Sequence, residues 1–311
     1  MSLAKTTRPV RLGTRGSLLA TTQSNQFADQ IRAAGVDVEL VTIKTGGDQS
    51  QSSGQPLDAM GTTGVFTKEI QVALLNGEID LTVHSLKDLP TEPTSGLHLA
   101  CVPKREVAVD VLVTGDGTSF ADLAAGSTIG TGSIRRQAQI LNARPELKVA
   151  GIRGNVDTRL KKLHDGEYDA IVLAAAGLHR LGWQDRITEE FQTTVLIPAV
   201  GQGALGIETR SDDPATTEIV RALDHAETHA AVLAERALLA GLRGGCSAPI
   251  GAHATVNSGV LTLTTVVLSR DGSKRLDDQR TGPAKSPEDL GRAAAAALLE
   301  SGAEKLIRPE V

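Results

Sequence analysis

Apolar positions along this chain alternate between two periods. Residues 10–13, 36–43 and 79–83 are short apolar runs bounded by Gly or polar clusters, and they read as strands. Between them, Leu19, Phe27 and Ile31 keep helical spacing up to Gly35, and residues 66–75 keep it up to Gly77. Strand, helix, strand, helix, strand predicts a parallel sheet with helical crossovers. The stretch from Lys44 through Thr63 is rich in Gly, Ser and Gln and has no period, which marks a lid or a disordered loop, with 49–63 as the part expected to move.

After Pro103-Lys-Arg-Glu106 the pattern restarts. It predicts strands at 110–113, 127–130, 147–152 and 170–173, a short capped helix over 119–125, a helix ending at Asn142 and another opening at Val156. Gly130-Thr131-Gly-Ser133-Ile-Arg135-Arg136 echoes Gly13-Thr-Arg15-Gly-Ser17 at the same kind of strand-to-helix junction, so two similar α/β lobes facing one another are expected. Gly201-Gln-Gly-Ala-Leu-Gly206 matches a dinucleotide fingerprint by letters only. Pro198 spoils the strand before it and residues 206–210 continue extended, so tight turns between domains account for the glycines. From Ala226 the character changes. An Ala/Leu-rich helix reaches Leu242, then come Arg243-Gly-Gly-Cys246, alternating segments at 250–256 and Val260–Leu268, an Asp271-Gly272 turn and a closing helix Pro287–Glu300: an α+β module.

Composition narrows the function classes. A chain of 311 residues with 40% hydrophobic and 22% charged residues is an ordinary globular protein with room for several domains. Aromatics at 2% argue against a stacking platform for single-stranded nucleic acid, and a net charge of -5 argues against nucleic acid or an anionic membrane as partner. With no apolar run of signal-peptide or membrane-span length, the expected compartment is the cytoplasm. Cys101 and Cys246 lie far apart and neither has metal-ligand spacing around it. His225 and His229 share one helix face, which without a third ligand reads as a solvated face; no metal is expected.

The chemistry concentrates in Asp80-Leu-Thr-Val-His84-Ser85-Leu-Lys87-Asp88-Leu-Pro90. Ligands in open α/β sheets sit at the carboxyl ends of strands, and Lys87 and Asp88 arrive together at such an end, where a carboxyl group can transfer protons. Ser85-x-x-Asp88 also fits a helix capping box, although Pro90 would then fall inside the helix. Arg15, Arg135, Arg136, Arg153, Arg159 and Arg180 are all placed at strand-to-helix junctions or first helical turns, where guanidinium forks and backbone N–H groups favour a small polyanion. Any one of them could be a solvated surface residue; the set is the signal. Cys246 sits among glycines three residues after Arg243, which leaves both a small turn residue and an accessible thiolate open. Cys101, in the apolar run 97–102, is expected to be buried and inert.

Five segments in order, His84-Ser-Leu-Lys-Asp88-Leu-Pro, Gly130-Thr-Gly-Ser-Ile-Arg135-Arg136, Ile152-Arg153-Gly-Asn-Val-Asp-Thr-Arg159, Ala199-Val-Gly-Gln-Gly-Ala204 and Gly244-Gly-Cys246-Ser-Ala-Pro, resemble the porphobilinogen deaminase (hydroxymethylbilane synthase) family from about Val10 to the C-terminus. The resemblance implies two periplasmic-binding-protein-like (type II) α/β lobes plus a smaller α+β C-terminal domain. The first lobe would span residues 8–103 with 201–222, the second 104–200 and the third domain 223–311.

It also implies a transferase that joins four porphobilinogen molecules head to tail, losing ammonia each time, on a dipyrromethane primer held through a thioether at Cys246, and that releases hydroxymethylbilane. By the same resemblance Asp88 is catalytic, assisting loss of ammonia, stabilising the azafulvene cation and removing the proton from the attacked carbon. Ser85, Lys87, Thr131, Ser133, Arg135, Arg136 and Arg159 would join Asp88 and Cys246 in holding the cofactor, while Arg15, Ser17, Arg153, Arg159 and Arg180 would meet substrate carboxylates. A monomer is implied. The chain departs from the family at Ala59 and Thr63, where lysines are frequent, so carboxylate contacts from that loop are not expected. The rivals are a non-catalytic two-lobed binding protein for a small anion, which would leave Cys246 and the Asp88 cluster unexplained, and a thiol-dependent transferase without a pyrrole cofactor.

Overall fold

Alternation in Val10-Arg-Leu-Gly-Thr buries Val10 and Leu12 against the face of the first helix that carries Phe27, Ala28 and Ile31, and this cluster is the core of the first sheet. The computed structural model describes residues 8–45, 67–245 and 248–308. The chain divides into two units, Met1–Arg105 with Ala204–His229, and Glu106–Gly203 with Ala230–Val311.

In chain order the elements are β1 (Val10–Thr14), α1 (Leu18–Ala33), β2 (Val38–Thr42), α2 (Lys68–Leu75), β3 (Leu81–Ser85), a single 3₁₀ turn at Leu86–Asp88 and β4 (Leu97–Cys101). Then follow β5 (Asp110–Thr114), β6 (Thr128–Gly130), α3 (Ile134–Ala143), β7 (Lys148–Ala150), α4 (Val156–His164), β8 (Ala170–Ala174), α5 (Ala175–Leu181) and β9 (Glu189–Glu190). The chain continues with β10 (Leu205–Arg210), α6 (Pro214–Arg221), α7 (Ala226–Gly241), β11 (Ile250–Asn257), β12 (Val260–Leu268), β13 (Arg275–Pro283), α8 (Pro287–Glu300) and α9 (Ala303–Ile307).

The first unit holds a five-stranded sheet in the order β2-β1-β3-β10-β4. β1, β2 and β3 are parallel as expected, but β10 runs antiparallel to both of its neighbours, so the sheet is mixed. β10 enters from a distant part of the chain without a helical crossover from β3, and nothing therefore constrains it to run parallel. The second unit repeats the arrangement as β7-β6-β8-β5-β9, with β5 antiparallel to β8. The second unit also contains the three-stranded antiparallel sheet β11-β12-β13, whose core joins Leu238, Leu242, Ile250, Leu261, Leu263 and Leu298. Two α/β sheets and a smaller α+β module are the fold class expected from the sequence.

Three local expectations change. Residues 119–125 form no helix: Ser119 Oγ donates to Asp122 at 2.5 Å and closes one turn, and a helix that short does not recover its nucleation cost. β13 was not expected, because Arg-Leu-Asp-Asp-Gln-Arg-Thr-Gly-Pro lacks an apolar face; it pairs with β12 along its whole length as a charged edge strand. α9 adds only Ala303 and Ile307 to the core, too few for a period to register. The loop expected at 49–63, with Ala59 and Thr63, lies outside the described residues, as does Phe66. No described helix is long and apolar enough to cross a membrane.

Candidate active site

β3 is buried through Leu81 and Val83, and it carries its polar cluster out at its carboxyl end. The His84 ring lies with Nε2 2.9 Å from Glu208 Oε2 on the adjacent β10, and Gln71 Nε2 donates to the same carboxylate at 3.0 Å. Ser85 Oγ is held by the Gln23 amide of α1, donating at 3.2 Å and accepting at 3.1 Å. The hydroxyl therefore caps nothing, and the capping-box reading fails. Leu86–Asp88 is one 3₁₀ turn, after which Leu89 is extended, as the residue before a proline must be. Asp88 is half-buried, and its carboxylate has no hydrogen-bond or ion-pair partner among the described residues. An acid held on a rigid strand end with its oxygens uncommitted is available to a substrate proton.

The equivalent place in the second unit is built differently. β6 ends at Gly130; Thr131 Oγ1 accepts from Ser133 N at 3.2 Å, and Ser133 Oγ caps α3 by accepting from Arg136 N at 3.4 Å. Arg135 and Arg136, on the first turn of α3, point inward and are 4% and 6% exposed. Both grip Asp110, the first residue of β5. Arg136 reaches Oδ1 through two nitrogens, at 2.7 and 3.0 Å, and Arg135 Nη1 lies 2.8 Å from Oδ2. Arg135 Nη1 also donates to Ile197 O at 2.7 Å, Arg136 Nη1 to Val172 O at 2.8 Å, and Gln202 Nε2 to Asp110 Oδ1 at 2.9 Å. Burial pushes the Asp110 carboxyl up, but the two guanidiniums outweigh it and hold the group far below the usual carboxylate range. Arg135 Nε is buried and has no acceptor among the described residues. A buried guanidinium N–H without an acceptor is an unfilled donor, left with the cost of its desolvation.

The remaining arginines are spread over several elements. Arg15 and Ser17 sit in the β1–α1 junction, where Ser17 is the cap residue of α1 but its hydroxyl makes no cap bond. Arg153 is exposed after β7 and has no partner among the described residues. Arg159, early in α4, donates Nε to Gly154 O at 2.9 Å. Arg180 departs from expectation: β8 runs straight into α5, so Arg180 falls in the last helical turn and not at a junction. There Nη2 donates to Gly203 O at 2.7 Å, and burial brings its guanidinium down to about 10. Gly203 has φ +83°, and a Cβ on it would lie 2.5 Å from Glu106 O, so the glycine is needed for close backbone approach.

Thus the first unit holds Arg15, Ser17, Ser85, Lys87 and Asp88, and the second holds Thr131, Ser133, Arg135, Arg136, Arg153, Arg159 and Arg180. Cys246 lies outside the described residues. Cys101 is fully buried, with burial and then the Asp224 charge raising its thiol, in keeping with an inert role. His225 and His229 are half-buried rather than solvated. Each has its own partner, Thr228 Oγ1 at 2.9 Å and Asp224 Oδ1 at 2.8 Å, and His225 Nδ1 also accepts from Thr228 N at 3.2 Å, one of the open N–H groups at the start of α7. No group of three metal-ligating side chains occurs among the described residues.

Four residues that shape these places, Asp110, Gln202, Glu208 and Gln23, were not expected from the sequence. Asp110 left a trace, as an acid opening an apolar strand; the others carry no local signal.

Known proteins resemble this chain over nearly all of its length. The family model described as "Porphobilinogen deaminase, dipyromethane cofactor binding domain" matches residues 10–218, and "Porphobilinogen deaminase, C-terminal domain" matches residues 229–300. A porphobilinogen deaminase from Syntrophobacter fumaroxidans is 45% identical over 304 residues, covering 97% of this chain and 98% of its own length. One from Trichlorobacter lovleyi is 48% identical over 300 residues, 96% of this chain and 95% of its own. A solved VFT2 domain of Bordetella pertussis BvgS covers 70% of this chain and 91% of its own at 16% identity and a TM-score of 0.40, too distant a likeness to bear on the site.

Proposed function

The chain belongs to the porphobilinogen deaminase family, and from that premise we propose that it joins four porphobilinogen molecules head to tail with loss of ammonia and releases hydroxymethylbilane for tetrapyrrole biosynthesis. The observation that carries the reading is the uncommitted Asp88 carboxylate at the end of β3, in a chain similar over nearly its whole length to named deaminases. When bound, the dipyrromethane supplies the acceptor pyrrole carbon.

Asp88 faces the aminomethyl group of the incoming substrate. As the C–N bond breaks, the shared proton leaves with ammonia, and the carboxylate then stands beside the positive charge left on the substrate. The same carboxylate would then be placed to accept the proton that the acceptor ring gives up when the new C–C bond forms. Gln23 and Glu208 hold Ser85 and His84 on either side of the strand end, which keeps Asp88 from drifting. Cys246 carries the cofactor through a thioether. Arg135, with its unfilled buried donor, together with Arg136, Arg159, Thr131, Ser133, Ser85, Lys87 and Asp88, holds the cofactor, while Arg15, Ser17, Arg153, Arg159 and Arg180 meet substrate carboxylates. The three-part division at 8–103 with 201–222, 104–200 and 223–311 separates the acid, the arginine cradle and the anchoring cysteine. The enzyme works as a cytoplasmic monomer without nucleic acid or membrane. A two-lobed anion-binding protein without catalysis is disfavoured, since the named relatives are deaminases.

Intact mass tests the reading. The purified chain carries a dipyrrole-sized excess that disappears in Cys246→Ser; an unmodified, fully active wild type would overturn the cofactor assignment and with it the role of Cys246.

A further inference from the structure

The second unit buries two guanidiniums against one carboxylate. Asp110 is 0% exposed; Arg136 and Gln202 donate to its Oδ1, and Arg135 Nη1 lies within ion-pair distance of Oδ2, 2.8 Å away, although that oxygen takes no hydrogen bond among the described residues. Among the described residues no second carboxylate lies within ion-pair reach of either arginine. Among the described residues the cluster therefore keeps one positive charge in excess at nearly buried side chains, and Arg135 Nε has no acceptor. A cluster serving the fold alone would be expected to balance its charge, because burying an uncompensated ion is costly. This one is short of an anion.

We propose that Asp110 is a positioning residue for cofactor capture: it stands in for the ligand's carboxylates, offsetting and aligning the Arg135 and Arg136 guanidiniums in the chain that has not yet received its dipyrrole. This rests on the reading that these arginines hold cofactor carboxylates. Without Asp110 the empty chain buries two unneutralised guanidiniums, whereas the loaded chain has the ligand's carboxylates to offset them. The cost of removing Asp110 thus falls mainly on the empty form, and the ligand's stabilising effect grows by the difference between the two costs.

The test compares Asp110→Asn with wild type in two forms of the full chain. One is produced in cells unable to make porphobilinogen and the other in ordinary cells, with loading confirmed by intact mass. Melting is followed through Trp183, the single tryptophan, which lies in this unit. The empty variant is expected to lose about 10 °C and the loaded variant less than half of that. An empty variant that fails to accumulate, while the loaded one is recovered with its dipyrrole, is the same result in its extreme form. Equal losses in both forms, or failure of both to accumulate, would overturn the inference and reduce Asp110 to a support of the fold. A wild type without the dipyrrole mass would instead overturn the proposed function, and this inference with it.

Discussion

The two five-stranded sheets have one topology and two chemistries. In each, three parallel strands are followed by an antiparallel one, β10 in the first sheet and β5 in the second, and each of these delivers a buried acid. Glu208 from β10 meets His84, and Asp110 from β5 meets Arg135 and Arg136. The strands they flank diverge. β3 ends in a 3₁₀ turn that leaves Asp88 uncommitted, while β8 runs directly into the apolar start of α5. A shared scaffold thus presents an acid on one sheet and a cationic cradle on the other. Topology fixes where a site can be, and the residues at the strand ends fix what it does.

The sharpest way to break this contrast is Asp88→Asn, which keeps shape and removes proton chemistry from the first sheet only. Turnover is expected to fall by about 10³-fold or more with melting temperature unchanged. Turnover within about tenfold of wild type in a fully loaded variant would take Asp88 out of the chemistry.

A smaller effect separates the sheets by acid. Asp80 in the first unit is 2% exposed and is bound by Arg8 at 2.7 Å and Arg11 at 2.8 Å. Burial raises its carboxyl, the two arginines overcome this, and like Asp110 it sits far below the usual range. Both groups stay ionised when folded, so their contribution is complete above about pH 5, where an unfolded Asp is also fully ionised. It is lost as pH falls below that value toward the folded pKa, because the unfolded chain then takes up protons first. Asp80→Asn should cost about 3 kcal/mol at neutral pH and flatten the acid loss in the first unit alone. Hydrogen exchange in β1 and β3 reads the first unit and Trp183 fluorescence the second. An unchanged acid profile in β1 and β3 would exclude Asp80 as its source.

The smallest expected effect concerns the two serine caps. Ser133 accepts a bond from Arg136 N and Ser17 makes no side-chain cap bond. Ser133→Ala should cost about 1 kcal/mol in urea unfolding and Ser17→Ala less than about 0.5 kcal/mol. Equal costs would mean that the two junctions are built alike.

The strands from Val10 and Ile79 and the helices from Val156 and Pro287 were legible because period and punctuation are local. So were the strand end that carries Asp88 and the Gly130–Arg136 junction, since each packs unusual residue types into a few positions. Arg180 was misplaced by one helix end, because nothing in Ala174-Ala-Ala-Gly marks where a strand gives way to a helix. β13 was invisible because an edge strand needs no apolar face.

By itself, then, the sequence determined two α/β repeats, a different C-terminal module and the segments where unusual polar residues cluster, since these are written in the spacing of neighbouring residues. Tertiary structure alone decided that β10 and β5 run antiparallel, that Gln23 rather than a helix end claims Ser85, and that Asp110 buries itself between Arg135 and Arg136. The reason is physical: strand direction and burial depend on partners tens of residues away, and a charged side chain reads the same in the sequence whether water or another ion completes it.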